Sequence, residues 1–499
     1  MSYLADDSPG TIPGISFDIT SFLKGSVVLF VLGFISVCVY NIFFHPLRNY
    51  PGPKYAAATD LVFKFASLRG DVVPWTHRIH EKYGEAVRLG PNRLSFISPQ
   101  AWKDIYGHRT GGKKSNPKDV KFYTPEPNGE PSIFAITADD EHSVVRRIFS
   151  AAFSDKALKQ QEPLVRTYID QLIQAMRNAS ETSQNSEIDI VRLLNFATFD
   201  IIGDLTFGEP LGLLQRSDYT PWVTAIFDGI KAGAFINNIQ EYAIGRFALG
   251  LIPALREKRK AHFDHTAERV DRRLANGSEK PDFWNLILGS NKGKMTVPQM
   301  HAHGAVFMLA GTETTATLLS GLVYLLLKNP DKMEKLIEEV RQIQSEEDLT
   351  FENLARMQYL AACLQEGFRC YPPVAVGLPR VTPPGGNSIC GKWARVSVPQ
   401  WAAYHSRFNF QRPNEFIPER WLPGNGFESD NKDIVQPFSI GPRNCLGKNL
   451  AYHEIRLVLA KILWHFDVKL GEQSHSWMEQ KVWVLWKKEE LMVGLNYVQ

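Results

Sequence analysis

The stretch from Thr296 to Pro330 constrains the fold of this 499-residue chain more than any other. Thr296-Val-Pro-Gln299 has the spacing of a capping box, in which the Thr side chain accepts from the backbone three residues on and Gln299 reaches back. The next breaker is Asn329-Pro330, so the spacing predicts one helix of over thirty residues. Ala305–Leu327 is apolar enough to be mistaken for a membrane span. Glu313 sits in its middle, however, and a carboxylate at the bilayer centre costs about 2.5–3.5 kcal/mol. A helix buried through a protein core fits better, and it needs a large body around it. Helical periodicity from about Pro163 to Arg273 and from Thr296 to Tyr371 supplies that body. Shorter β-like pieces occur at Ala86–Ile97 and Val374–Val398. With no internal repeat and no convincing linker between Pro53 and Gln499, the expectation is a single mainly α domain with small β-sheets, over residues 55–499.

A second apolar run, Gly25–Phe44, carries no charge. Twenty helical residues span roughly 30 Å, the hydrocarbon thickness of a bilayer. A cleaved signal peptide would have a shorter apolar core ending at small residues, whereas this run continues into Ile42-Phe43-Phe44-His45-Pro46. Residues 25–44 are therefore expected to be a transmembrane anchor, with 1–24 a short lumenal N-terminus. Asp6, Asp7 and Asp18 precede the run; Arg48, Lys54 and Lys64 follow it. That asymmetry, weakened by Lys24, places the body in the cytoplasm. Proline fixes φ and restricts the residue before it, so His45-Pro-Leu-Arg-Asn-Tyr-Pro-Gly-Pro53 reads as a stiff hinge over 45–54. The apolar stretch Thr224–Leu255 fits either a second, monotopic membrane contact or plain core helices.

A formal net charge of +3 argues against nucleic acid as the main partner, because the phosphate backbone rewards a strong basic excess. The five cysteines (Cys38, Cys363, Cys370, Cys390, Cys445) are scattered and never form C-x-x-C, which argues against a disulfide framework or structural zinc. His301 and His303, two apart, cannot share a helical face as a metal pair.

One cysteine stands out. Phe438-Ser-Ile-Gly441-Pro-Arg443-Asn-Cys445-Leu-Gly447 runs into a helical pattern from Lys448 to His465. A thiolate at a helix start is favoured by the helix dipole and by free N–H groups. Gly441 and Gly447 let backbone approach a flat ligand, Phe438 can shield the sulfur, and Arg443 can reach an anionic group. This F-x-x-G-x-R-x-C-x-G pattern resembles the haem-binding loop of the cytochrome P450 family in full. The resemblance implies that fold, and haem b with Cys445 as the axial iron ligand.

The resemblance extends along most of the chain. Ala310-Gly311-Thr312-Glu313-Thr314-Thr315 is similar to the family's oxygen-activation motif, which gives catalytic roles to Thr314, on bound dioxygen, and Glu313, feeding protons through water. Ala310 and Gly311 then lie beside the cofactor. Glu366-Gly-Phe-Arg369 resembles the family's E-x-x-R; Glu85/Arg88 and Glu338/Arg341 share the spacing, but only Glu366 precedes Cys370-Tyr-Pro-Pro373. Together with Arg420 it is implied to form a buried structural triad. His142-Ser-Val-Val-Arg146 stands where the family commonly has W-x-x-x-R, which nominates His142 and Arg146, with Arg380 and Arg443, for the haem propionates.

What the resemblance implies in function is a monooxygenase inserting one oxygen atom from O2 into an apolar small molecule by hydroxylation or epoxidation. Electrons would come from NADPH through a separate reductase, since the chain has no G-x-G-x-x-G fingerprint. That reductase would dock on the cysteine side near Lys448. The motif stretches look most like fungal members acting in secondary metabolism, with terpenoid or polyketide substrates and an endoplasmic reticulum location. Ala305, Val306, Leu309, Ala310, Val374, Ala375 and Val376 would face the substrate, though on helical spacing they are equally good core residues. A haem-thiolate isomerase or dehydratase working without reductant, and a non-catalytic haem-binding protein, are the rival readings.

Overall fold

The computed structural model describes residues 19–109, 115–182, 187–241, 245, 247, 253–289 and 294–498. Asp6, Asp7 and Asp18, with most of segment 1–24, lie outside the described residues, as does most of 242–252. The first helix, α1 (Ile19–Phe43), begins six residues before the expected Gly25 and ends one short of Phe44. Lys24 therefore lies inside it. Over Thr20–Phe43 only 6% of the most apolar window is buried, and Phe22, Leu29 and Phe30 stand in the open. Its C-terminal end is fastened to the body: Asn41 Nδ2 donates to the Ala58 carbonyl at 2.8 Å, and Arg88 Nη1 donates to the Asn41 carbonyl at 2.9 Å.

Further helices are α2 (Leu61–Leu68), α3 (Pro99–Tyr106), α4 (Asp139–Phe149), α5 (Asp155–Thr182), α6 (Ile190–Phe207), α7 (Pro221–Ile239) and α8 (Pro253–Asn276). The long helix α9 follows (Val297–Leu327), and its capping box is present: Thr296 Oγ1 accepts from Gln299 N at 3.4 Å and Gln299 Oε1 from Thr296 N at 3.1 Å. At 1.5 Å per residue it runs roughly 46 Å. Its most apolar window is 72% buried, so it is a core helix as expected. α6 packs on it, and every residue of α6 except Arg192 is buried. The fit is close because Gly311 has no Cβ; one built there would lie 2.7 Å from Ile202 Cδ1. α10 (Gln358–Cys370) and α11 (Lys448–His465) complete the frame around α9.

The β-like pieces form one four-stranded sheet in the order β1 (Ala86–Gly90), β2 (Arg93–Phe96), β5 (Arg395–Ser397), β4 (Arg380–Val381). β2 and β5 run parallel, the outer pairs antiparallel. A second sheet was not anticipated: β9 (Met492–Tyr497) lies between β3 (Glu187–Asp189) and β6 (Phe466–Leu470). Its signal was present in the alternation Phe466-Asp-Val-Lys-Leu470, which immediately follows α11. Between β6 and β9, β7 (Val482–Trp483) and β8 (Leu485–Trp486) make a hairpin turning at Val484, whose φ is 86°. A β-branched residue at positive φ is strained and persists only where its surroundings hold it.

Candidate active site

The cysteine loop is shaped by two positive-φ residues, Ser439 (58°) and Gly441 (77°), and is closed by Cys445 N donating to the Phe438 carbonyl at 2.8 Å. Glycine at 441 answers to backbone crowding: a Cβ there would lie 2.2 Å from the Tyr106 carbonyl at the end of α3. Packing against α3 is thus a demand for glycine at 441 separate from the ligand approach expected of it. Gly447 ends the loop and precedes α11, and only Phe153 comes near its Cβ position, at 3.7 Å. The Phe438 ring packs between Phe368 (5.2 Å between centroids) and Tyr452 (5.1 Å).

Cys363, Cys370 and Cys390 are buried, whereas Cys445 is exposed. Surrounding protein nevertheless crowds the Cys445 sulfur and raises its pKa, against the opposing pull of the Gly447 N–H and the Arg146 and Lys448 charges. Burial pushes the Cys370 thiol up to about 12 and Cys363 well above the usual range. In the helical body, Cys445 is the thiol open to chemistry.

On α9 the middle of an otherwise buried helix opens: Ala310 is exposed and Thr314 half-buried. Thr314 Oγ1 donates to the Ala310 carbonyl at 2.6 Å, and Thr312 to Met308 at 2.5 Å, the i−4 pattern that bends helices. Val306, Leu309, Ala310 and Thr314 line a cavity of about 420 Å³, as do Val374, Ala375 and Val376. Ala305 does not; it is buried, with its carbonyl against His262 of α8. Trp483, Val484 and Leu485 also reach the cavity, and nothing in their sequence pattern announced it. The wall further includes a charged group: Arg395 pairs with Asp119 at 2.6 Å and with Glu241, which Lys64 also contacts. Burial opposes the Glu241 charge, but these two cations overcome it and hold the carboxyl at about 2.

Behind the loop, Glu366 gathers donors on both oxygens. Oε1 accepts from Arg369 Nη2 (2.8 Å), Arg420 Nε (3.0 Å) and Ile417 N (2.8 Å); Oε2 accepts from Arg369 Nε and Trp421 Nε1, each at 2.9 Å. The three charged side chains are fully buried. Arg420 also pairs with Asp430, a partner the sequence reading missed.

A family model described as Cytochrome P450 matches residues 57–495. The chain belongs to the cytochrome P450 family. It is 50% identical over 468 residues to the cytochrome P450 monooxygenase FUM2 of Gibberella moniliformis, covering 91% of this chain and 98% of that one. Identity is 47% over 487 residues to efuB of Hormonema carpetanum (95% and 96% covered) and 44% over 466 to AMT3 of Alternaria alternata (91% and 95%), both named cytochrome P450 monooxygenases. This P450 is thus a haem-thiolate monooxygenase that uses O2, a small-molecule substrate and electrons from a redox partner. The isomerase and non-catalytic readings are not favoured.

Whether this P450 has groups for two haem propionates can be read from its cations. Lys118, Arg146, Arg380 and Arg443 come close enough to depress the protonation of His142. Burial, then Arg443, Lys118, Arg146 and Arg380, push His142 down to about 3. Burial, then Arg380 and Arg443, push Lys118 down to about 6. Arg380 is 6% exposed, and its Nε is buried with no partner. A buried donor left unpaired beside mutually repelling cations is what a pair of carboxylates would satisfy. The residues fit the group.

Arg443 is less free than the sequence implied. Its Nε and Nη2 hold Asp139 Oδ1 at 2.9 and 2.7 Å, and Nη1 and Nη2 hold the Ile136 and Thr137 carbonyls at 2.5 and 2.7 Å. Arg146 grips Asn444, through its carbonyl and Oδ1, both at 2.6 Å. Lys118, which donates to the Phe134 carbonyl at 2.6 Å, escaped sequence reading because a single loop lysine carries no pattern. Gly311 faces α6 and does not line the cavity. Glu313, expected beside Thr314, is absent from the cavity wall; its Oε2 pairs with Lys488 Nζ at 2.7 Å. His301 pairs with Asp271 at 2.7 Å, while His303 Nδ1 accepts from Ile133 N at 3.1 Å, so the two serve separate contacts.

Proposed function

We propose that Cys445 is the axial ligand of haem b and that the enzyme inserts one oxygen atom from O2 into an apolar small molecule, by hydroxylation or epoxidation. The observation that carries this is the exposed Cys445 thiol at the start of α11, in a chain whose other body cysteines are buried. When bound, haem supplies the electron-rich iron that such oxygen chemistry needs. The protein's own residues do the rest. Arg380, Lys118, His142 and Arg146 hold the propionate edge, with Arg443 bracing the loop through Asp139. Phe438 shields the sulfur. Ala310 leaves room beside Thr314, whose hydroxyl holds a proton at Oγ1 for the oxygen-activating step. Glu366, Arg369 and Arg420 are structural, fixing the segment behind the loop. Val306, Leu309, Val374, Ala375 and Val376 exclude water and seat an apolar substrate.

The organisation we infer is a lumenal segment 1–24, an anchor 25–44, a hinge 45–54 and one monooxygenase domain 55–499. It is single-pass in the endoplasmic reticulum with the domain in the cytoplasm. The exposed apolar surface of α1 supports the anchor. Leu61 and Phe65 of α2 and Phe235 of α7 are exposed, on helices tied by Lys64 Nζ donating to the Asn238 carbonyl, and they support a second, monotopic membrane contact. Electrons come from NADPH–cytochrome P450 reductase, docking where exposed Lys448 begins α11; Lys448→Glu is expected to slow reductase-supported reduction, and an unchanged rate overturns that site. The substrate we infer is a terpenoid or polyketide intermediate of fungal secondary metabolism.

The deciding experiment is the reduced, carbon-monoxide difference spectrum of the protein lacking residues 1–44, beside Cys445→Ala. A strongly red-shifted Soret band that vanishes in the variant is expected. Haem binding without that shift assigns another ligand and ends the oxygen-activation reading.

A further inference from the structure

Glu313 and Lys488 form an ion pair deep in the protein, with side chains only 2% and 4% exposed. Lys488 comes from the segment that follows the β7–β8 hairpin. Its neighbours Lys487, Glu489 and Glu490 are all exposed, and Lys487 pairs with Glu489 at 2.7 Å. Lys488 alone turns inward. A desolvated ammonium is strongly unfavourable unless it is paired and hydrogen-bonded, and Lys488 is both: besides Glu313 Oε2 it donates to Thr317 Oγ1 at 3.0 Å. Glu313 and Thr317 are one turn apart on α9, so the ammonium clamps a single face of that helix. Ala310 and Thr314 are likewise one turn apart, centred about 60° around the axis from the clamped pair, and they line the cavity.

The clamp leaves Glu313 incompletely satisfied. Its Oε1 is buried without a hydrogen-bond partner. Besides Lys488, the titratable side chains that feel this carboxylate are Tyr219 and Tyr371, both neutral at physiological pH because burial drives their ionisation up, Tyr219 to about 12 and Tyr371 well above its usual value. Tyr371 directs its own proton to Gln480 Oε1 at 2.7 Å, away from the pair.

We propose that Lys488 is a positioning residue for Glu313, holding the carboxylate on the hairpin side of α9 so that it serves the Thr314 side only when that grip opens. The proposal rests on the reading that Thr314 faces the reacting oxygen. Lys488 thereby acts on proton supply from outside the cavity wall, although Trp483, Val484 and Leu485 of the same C-terminal segment line it.

The test compares Lys488→Met, Lys488→Arg and the double variant Lys488→Met/Glu313→Gln in the haem-loaded, full-length enzyme. Burial without a paired cation favours the neutral form of a carboxyl. The infrared spectrum of Lys488→Met should then show a protonated-carboxyl band that is missing in the parent and in the double variant. In the same variant the acid limb of product formed per electron consumed should move to higher pH, while Lys488→Arg keeps the parent profile. A Lys488→Met protein with no new band and the parent's pH profile overturns the proposal, even where its melting temperature falls, because Lys488 is then only a packing residue. The carbon-monoxide spectrum of the parent separates the two readings: its failure to red-shift removes the haem-thiolate assignment, whereas a normal spectrum with no new infrared band in Lys488→Met removes the Lys488 proposal alone.

Discussion

Glu313 and Thr314 are adjacent in the chain but open onto different compartments: Thr314 borders the cavity, while Glu313 is sealed against Lys488. The neighbourhood that the motif implies is one of sequence, and the helix turns it into two faces. The hydroxyl and the carboxylate therefore make separable contributions.

Thr314→Val keeps the shape of the side chain and removes the proton-bearing oxygen. Because Thr314 already bonds the Ala310 carbonyl, the helix loses one i−4 contact and little stability. Haem content and the carbon-monoxide spectrum should match the parent, while product per electron consumed falls by about 10²-fold, the lower end of what a positioned proton donor contributes. Unchanged product yield would remove Thr314 from the mechanism.

Glu366→Ala strands Arg369 and Arg420 in a fully buried site. Breaking one partner of such a network costs about 3–5 kcal/mol, which urea denaturation of the variant should show, with haem retention falling in step. The parent's acid stability has the same origin. Burial works against the Glu366 charge, but Arg369 and Arg420 outweigh it and hold the carboxyl below its ordinary 4.5. A depressed acid contributes fully above that value, so this stabilisation is lost as pH falls below about 4.5.

Glu454, buried on α11, behaves in the opposite sense. Burial pushes it up to about 8, and its Oε1 has no partner. The unfolded chain releases this proton near 4.5 and the folded one keeps it to about 8, so folding is penalised progressively as pH rises between them. Glu454→Gln removes the penalty. Its stability advantage over the parent should grow from near nothing at pH 5 to at most about 3 kcal/mol at pH 7, at 1.36 kcal/mol per unit. Parallel stability–pH curves would show that Glu454 is not the group responsible.

Lys118 is pushed down to about 6 by burial and by Arg380 and Arg443, so at pH 7 to 8 it is largely neutral before anions arrive. Two carboxylates beside it favour the ammonium. Haem loading in weakly buffered solution at pH 7.5 should take up about one proton in the parent and less in Lys118→Met, which should also lose haem faster on dialysis. Equal proton uptake in both would place the propionates elsewhere.

The long helix, its cap, the Glu366 network and the outlying Cys445 were legible because each rests on local periodicity or on a motif with fixed spacing. What the sequence hid depends on contacts between distant segments. Lys488 meets Glu313 from 175 positions away. Val484 enters the cavity only because a hairpin turns on a strained residue. Gly311 looked like part of the ligand pocket but is needed where α6 crosses α9. Arg443 carries the motif's positive charge, and Asp139, brought in by α4, largely consumes it.

The cations gathered around His142 come from separate pieces of chain: Lys118 from a loop, Arg146 from α4 with His142 itself, Arg380 from β4 and Arg443 from the cysteine loop. Apart from the Arg443–Asp139 pair, these cations are brought together against electrostatic repulsion. The prosthetic group's two carboxylates reverse the sign of that approach, so they act as a keystone set during construction. The order of assembly follows: these segments should stay loosely docked in the apoprotein and lock together as haem enters, and a cell short of haem would accumulate a chain open at this seam and vulnerable to proteases there.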